Sequence, residues 1–254
     1  MAIRLASLGS GSKGNGTLVE SGDTCVLVDC GFSVRDTERR LARLGRTGND
    51  LAAILVTHEH SDHGRGVLPL ARKYRIPVIL TAGTARALHP DGAAEVRIID
   101  TRNAFAVGGL AVTPVAVPHD AREPVQFVFA RGGRRVGVLT DLGCITPHVV
   151  ASFSGCDGLL LEANHDPEML ARGPYPPALK RRVGGDWGHL SNRQCAELLA
   201  RIERRCLQLV VLGHISQHNN TVALVEEAVS PYREELHDVH YACQSEGFDW
   251  RVVD

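Results

Sequence analysis

The chain is short of lysine, aromatics and paired cysteines, and it has no long apolar run; each shortage narrows what it can be. No uninterrupted hydrophobic stretch reaches the roughly 20 residues that a bilayer requires, although 44% of the 254 residues are hydrophobic. No membrane partner is therefore expected. The start Met1-Ala2-Ile3-Arg4-Leu5 lacks the charged end, apolar centre and cleavage site of a secretory signal, so a cytoplasmic location is expected. Seven cysteines are scattered without a C-x-x-C pair. That argues against a disulfide frame or a zinc knuckle and for small buried thiols of a reducing compartment. A net charge of -1 excludes bulk attraction to polyanions. Of the 28 basic residues only Lys13, Lys73 and Lys180 are lysine. Arg39-Arg40 with Arg43, Lys180-Arg181-Arg182, and Arg201 with Arg204-Arg205 are either local phosphate contacts or solvated helix faces. Two Trp, six Phe and four Tyr leave few platforms for stacking unpaired bases.

What is present alternates between strand and helix signals with short Gly-rich turns and no long linker, which predicts one domain over residues 1–254. Strands are predicted around Ile3 to Ser7 and Cys25 to Asp29, joined through Ser10-Gly11-Ser12-Lys13-Gly14-Asn15-Gly16. A helix follows with Ser33 as N-cap, Asp36 three residues on, and Gly45 as its stop. Further strands are predicted at Ala52–Val56, Val78–Leu80, Leu110–Val117, Val125–Ala130, Arg135–Leu139, Gly158–Leu161 and Leu209–Leu212. Val67 to Tyr74 reads as helix, Thr146-Pro147 opens another, and Ser191-Asn192-Arg193-Gln194 is a capping box for a third. No internal repeat or low-complexity tract is present.

The densest chemistry lies in His58-Glu59-His60-Ser61-Asp62-His63, directly after the apolar run Ala52 to Val56. A buried strand that ends in such a loop puts its ligands at the strand's C-terminal edge, where α/β sheets place their sites. Alternate positions of an extended segment point the same way, so His58 and His60 can converge on one ion while Asp62 and His63 turn to a second. Single acids and histidines recur at other strand ends: Asp29, His119, Asp141, Glu162 and His214. One alone means little; five in register with the cluster mark a site.

The order Asp29, His58-x-His60-x-Asp62-His63, His119, Asp141, His214 resembles the five-motif signature of the metallo-β-lactamase superfamily. More narrowly, Ser7-Leu8-Gly9-Ser10-Gly11-Ser12-x-Gly14-Asn15, Glu162-x-Asn164-His165-Asp166, Gly173-Pro174-Tyr175-Pro176, Gly188-His189-Leu190-Ser191-Asn192 and Gly213-His214-Ile215-Ser216-x-x-Asn219-Asn220 are similar to its YycJ branch. The resemblance implies an α+β fold, an αββα four-layer sandwich of two mixed β-sheets flanked by helices. It also implies a phosphodiesterase with 5′ to 3′ DNA exonuclease activity. By position, His58, His60 and His119 are expected to bind one divalent ion, Asp62, His63 and His214 a second, and Asp141 both. Asp29 is expected to orient a ligating His. Zn²⁺ and Mn²⁺ both suit these donors, and two ions about 3.5–4 Å apart activate water and stabilise charge at phosphorus.

The leaving oxygen then needs a proton. His189 is the candidate donor, with Glu162 fixing its tautomer and raising its basicity, and Asp62 standing by as a catalytic carboxylate; a loop-capping role for His189 is the alternative. Ser10, Ser12 and Asn15 are candidate substrate contacts in a loop that could equally be a tight turn between strands. Asn164 and His165, and Asn219 and Asn220, are further candidate contacts, each with a structural alternative as hydrogen-bonded or capping residues. Trp187 is expected to pack under its loop, with a base or sugar contact as the alternative. No β-CASP-like insertion or long flexible arm is visible. A small cyclic or nucleotide phosphodiester is the second substrate reading, and a metal-binding regulatory protein without turnover is the third. The sequence leaves oligomeric state open.

Overall fold

In a computed structural model of the chain, residues 1–92 and 95–254 are described. The strands are β1 (Ile3–Gly9), β2 (Gly16–Ser21), β3 (Thr24–Val28), β4 (Leu51–Leu55), β5 (Val78–Thr81), β6 (Val96–Ile99), β7 (Phe105–Val107), β8 (Leu110–Ala116), β9 (Val125–Arg131), β10 (Arg134–Leu139), β11 (Gly158–Glu162), β12 (Leu209–Gly213), β13 (Asp238–Tyr241) and β14 (Phe248–Val253). The helices are α1 (Val34–Arg43), α2 (Ser61–Gly64), α3 (Val67–Tyr74), α4 (Ala82–Leu88), α5 (Pro147–Phe153), α6 (Pro167–Arg172), α7 (Pro177–Val183), α8 (Asn192–Arg201) and α9 (Val222–Val229).

Among the described residues the strands form two seven-stranded sheets, ordered β14-β1-β2-β3-β4-β5-β6 and β13-β12-β11-β10-β9-β8-β7. Each is mixed. In the first, hairpins make β1 to β3 antiparallel, and crossovers through helices make β3 to β6 parallel. In the second, β7 to β10 are antiparallel and β10 to β13 parallel. Alternate residues of both sheets meet in a central apolar layer that includes Leu5, Val26, Leu55, Phe127, Phe129, Leu160 and Val211. The opposite faces are covered by helices. Leu27, Ile54 and Leu80 pack with Leu41 of α1 and Leu70 of α3. Leu161, Val210 and Leu212 pack with Phe153 of α5, Leu198 of α8 and Val225 of α9. Each such fully buried side chain stabilises the fold by about 1.5–3 kcal/mol. The result is the four-layer αββα sandwich that the sequence implied.

The predicted caps form: Ser33 accepts from Asp36 N, Thr146 from Val149 N, and Ser191 and Gln194 make a reciprocal capping box. The segment after Ser10–Asn15 departs from expectation. It does not run to the Cys25 strand as a connection but turns tightly into β2, whose six residues are all buried. The edge strands β13 and β14 and the helices α4, α6 and α7 were also unforeseen. No helix among the described residues is long and apolar enough to cross a membrane, and all seven cysteines are unpaired.

Candidate metal centre

One end of the sandwich collects the loops that follow β3, β4, β8, β10, β11 and β12. Asp29 follows β3; His58, His60, Asp62 and His63 lie on the loop after β4 and on α2; His119, Asp141 and His214 follow β8, β10 and β12; Glu162 ends β11. Asp29, Asp141 and His214 adopt left-handed backbone conformations, with φ of 61°, 52° and 54°. Such turns are costly away from Asn, Asp and Gly, and they concentrate where surrounding structure dictates side-chain direction. Gly31 permits the closest crossing, since a Cβ there would lie 1.8 Å from the carbonyl oxygen of Asp62.

The histidine tautomers follow from their partners. His63 Nδ1 donates to Asp29 Oδ2 at 2.8 Å, and Asp29 is itself held by the amide and hydroxyl of Thr57 at 2.8 and 2.7 Å. Because the Thr57 hydroxyl spends its proton on Asp29, it accepts from His58 Nδ1 at 2.9 Å. His119 Nδ1 donates to the carbonyl of Gly188 at 2.9 Å, and His214 Nδ1 donates to Glu162 Oε1 at 2.9 Å. Four imidazoles are thus fixed with Nδ1–H outward and the Nε2 lone pair inward, as metal-binding histidines require. His60 faces the other way. Its Nδ1 lies 3.3 Å from His119 Nε2, and its Nε2 lies 3.7 Å from Asp120 Oδ1.

These inward atoms suit a cation. Ligand atoms of His58, His60 and His119, of His58, His63 and Asp141, and of Asp62, His63 and His214 lie within 4.8 Å of one another in each group. His58 Nε2, His214 Nε2 and Asp141 Oδ2 are buried without a hydrogen-bond partner among the described residues, a costly arrangement unless a ligand satisfies them. Charge points the same way. Burial opposes charge on Asp141, yet His214 and His63 hold its carboxyl well below the usual carboxylate range. Burial likewise opposes charge on His214, but Asp141, then Asp62 and Glu162, push its pKa up to about 10. In the protein alone, extra protons balance these carboxylates; a divalent cation supplies the same charge. Replacing Asp29 by Asn removes the charge that fixes His63 while keeping its shape. We expect metal affinity to fall roughly 10–100-fold, read by competition with a chromogenic chelator; unchanged affinity would dismiss the orienting role.

Glu162, fully buried, serves two rings at once. Its Oε1 accepts from His214 and from His189 Nδ1 at 2.9 and 2.8 Å, and its Oε2 accepts from the amides of Leu142 and Leu190 at 3.1 and 3.0 Å. Burial raises its pKa, but the charge and bond of His189, with the bond of His214, outweigh that and bring it to about 2. His189 responds in the opposite sense: burial disfavours its charge, and Glu162 and then Asp141 raise its pKa. Its Nδ1 committed to Glu162, His189 borders a cavity of about 420 Å³ lined also by Ser12, His60, Asp62, Asp120, Asp141 and His214.

The candidate substrate contacts separate. Ser12 lines the cavity. Asn15 lies at its metal end, with Nδ2 3.0 Å from His63 Nε2. Ser10 instead accepts from the amide of His214 at 2.8 Å, and Asn164 donates to its carbonyl at 2.9 Å, so both brace that loop. Asn220 pairs with Asn192 at 2.8 and 2.7 Å and donates to Ala163 O at 2.9 Å. Asn219 is buried beside Gly173. His165, also buried, lies behind α7 in a second pocket with Lys180 and Arg181. Trp187 corrects the sequence expectation: it does not pack under its loop but is 64% exposed. Sequence reading missed Thr57 and Asp120, and singled out Arg182 only within the Lys180-Arg181-Arg182 cluster, as a phosphate contact or a solvated helix face. Arg182 of α7 reaches the cavity and is hydrogen-bonded to Asp120; for Asp120 the available signal was its adjacency to His119.

Fold and ligand set together define a class: the chain belongs to the metallo-β-lactamase superfamily, and the family model described as "Beta-lactamase superfamily domain" matches residues 24–215. Within it, the chain is 35% identical over 239 residues to the Exodeoxyribonuclease YycJ of Bacillus anthracis, covering 92% of this chain and 90% of that one. It is 32% identical over 260 residues to the Exodeoxyribonuclease WalJ of Streptococcus pneumoniae, covering 100% and 94%. Among solved structures, the metallo-beta-lactamase fold protein YhfI from Bacillus subtilis superposes with a TM-score of 0.76 at 15% identity over 99% of this chain and 100% of that one, a likeness of fold.

Proposed function

We propose that the chain, acting as one domain over residues 1–254, is a metal-dependent nuclease that degrades DNA from a 5′ end. The observation that carries this reading is the His189–Glu162 pair set beside the inward-facing Nε2 cluster, because a proton donor matters most when the leaving group is an alkoxide. Similarity to two exodeoxyribonucleases over nearly the full chain supports the same reading. His58, His60 and His119 would hold one divalent ion, Asp62, His63 and His214 a second, and Asp141 both; zinc and manganese suit these nitrogen and oxygen donors. Such ions, when bound, lower the pKa of water and neutralise the attacked phosphate.

The protein's own contributions follow from the geometry. Glu162 holds the His189 ring by Nδ1, so Nε2 is the atom that delivers a proton to the leaving oxygen. The Ser12 hydroxyl and Arg182 stand where phosphate oxygens enter the cavity. The unpaired cysteines accord with a reducing cytoplasm, where DNA is the partner.

The test is turnover after reconstitution with Mn²⁺ and Zn²⁺ separately, on end-labelled single- and double-stranded DNA and on bis-p-nitrophenyl phosphate, with Asp141→Ala as control. Stepwise shortening from the 5′ end that vanishes in the variant is expected. Cleavage of the small diester alone would replace DNA by a small cyclic or nucleotide phosphodiester. Silence on both would favour a metal-binding regulator without turnover.

A further inference from the structure

An indole left in water forgoes one of the largest burial gains open to any side chain. Trp187 does so at 64% exposure, and among the described residues it is the exposed aromatic, the others being Met1 and aliphatic chains. Trp250, by contrast, is half-buried, with Arg4 and Arg46 4.5 and 5.5 Å from its ring centre.

Looseness of the backbone does not explain this exposure. The carbonyl of Trp187 accepts from Asp120 N at 2.9 Å, Gly188 N donates to Gly185 O at 2.8 Å, and His189 N donates to Val183 O at 2.9 Å. The chain at Gly143 presses on the same point, since a Cβ there would lie 2.2 Å from Asp186 O and 2.6 Å from Trp187 Cα. The ring therefore stands on a clamped backbone, and docking onto it would order little that is not already ordered.

Its place is at the rim of the catalytic cavity. Gly188 and His189, the next two residues, line that cavity, as does Asp120, which holds the Trp187 carbonyl. A cation stands at the same rim: Arg182 lines the cavity, hydrogen-bonded to Asp120. A phosphodiester seated at the metal centre thus brings its backbone past Arg182 and its nearest bases past the indole.

We propose that Trp187 is a nucleobase subsite, stacking an unpaired base of the strand whose phosphate occupies the cavity. The proposal rests on the nuclease reading and adds to it a single-stranded end as the bound form. Stacking tolerates any sequence because every base has a π face, as an enzyme that degrades DNA of any sequence needs.

The test uses the metal-loaded full chain on a 5′-phosphorylated single-stranded oligonucleotide, and on versions with an abasic tetrahydrofuran at each of the first three positions. Trp187→Ala should raise KM roughly 5- to 150-fold with a smaller effect on kcat and with metal content retained. Trp187→Phe should recover most of the loss. An abasic residue at one position should cost the native protein the same factor and cost Trp187→Ala nothing. An unaltered KM would overturn the subsite, as would a raised KM accompanied by an undiminished abasic penalty, which would mean the ring is structural. A native protein that degrades no DNA would overturn the nuclease reading and the subsite together.

Discussion

Asp141→Ala is expected to lose metal and turnover together. Its carboxylate is fully buried and lies 3.2 Å from His63 Nε2, 3.9 Å from His119 Nε2 and 3.8 Å from His214 Nδ1. No other described carboxylate is within 4.0 Å of all three rings. Its removal leaves clustered imidazoles without their shared anion, so bringing a cation among them loses the attraction that offset desolvation. The fall in metal affinity should exceed the roughly 10–100-fold that alteration of a supporting residue costs. Elemental analysis after gel filtration, alongside turnover, reads both. Full metal content with lost activity would move Asp141 from holding ions to some other role.

His189→Ala should separate the two properties. His189 clusters with Asp141, Glu162 and His214, but it belongs to none of the groups that contain His58 or His63, and its Nδ1 is committed to Glu162. Metal content should be unchanged while kcat on DNA falls by about 10²–10⁴, the usual contribution of a positioned general acid. Leaving-group dependence supplies a second signature. A p-nitrophenolate departs without protonation, so bis-p-nitrophenyl phosphate should lose much less than DNA. Equal losses on both substrates would mean that His189 acts by shaping the cavity, and no loss on DNA would remove it from the chemistry.

Much of this architecture could be read before any coordinates, because buried parallel strands are continuous apolar runs. Ala52 to Val56, Gly158 to Leu161 and Leu209 to Leu212 have no polar residue to obscure them, and each became a central strand. The proposed ligands were legible for the same reason, as polar residues at abrupt ends of such runs. Elements that bury little were invisible. Helix α7 has no buried residue at all, so no apolar period announces it, although it carries Arg182 to the cavity. Strand β13 is exposed or half-buried along its length. β2 was hidden differently: Gly16-Thr17-Leu18-Val19-Glu20-Ser21 begins in glycine and buries Glu20, which Arg4 and Arg46 neutralise. Trp187 was misjudged because composition favours burying an indole, and only the clamped loop shows otherwise.

The proposed ligands belong to different halves of the sandwich. His58 to His63 hang from β4 of one sheet, whereas His119, Asp141 and His214 hang from β8, β10 and β12 of the other. Along most of their length the sheets adhere through Phe127, Leu160 and their neighbours, but at this edge imidazoles and carboxylates face one another across the seam. A cation held there would be a clasp between two β layers as well as a reagent. A protein stripped of metal should therefore part first at that edge, with its greasy middle still shut.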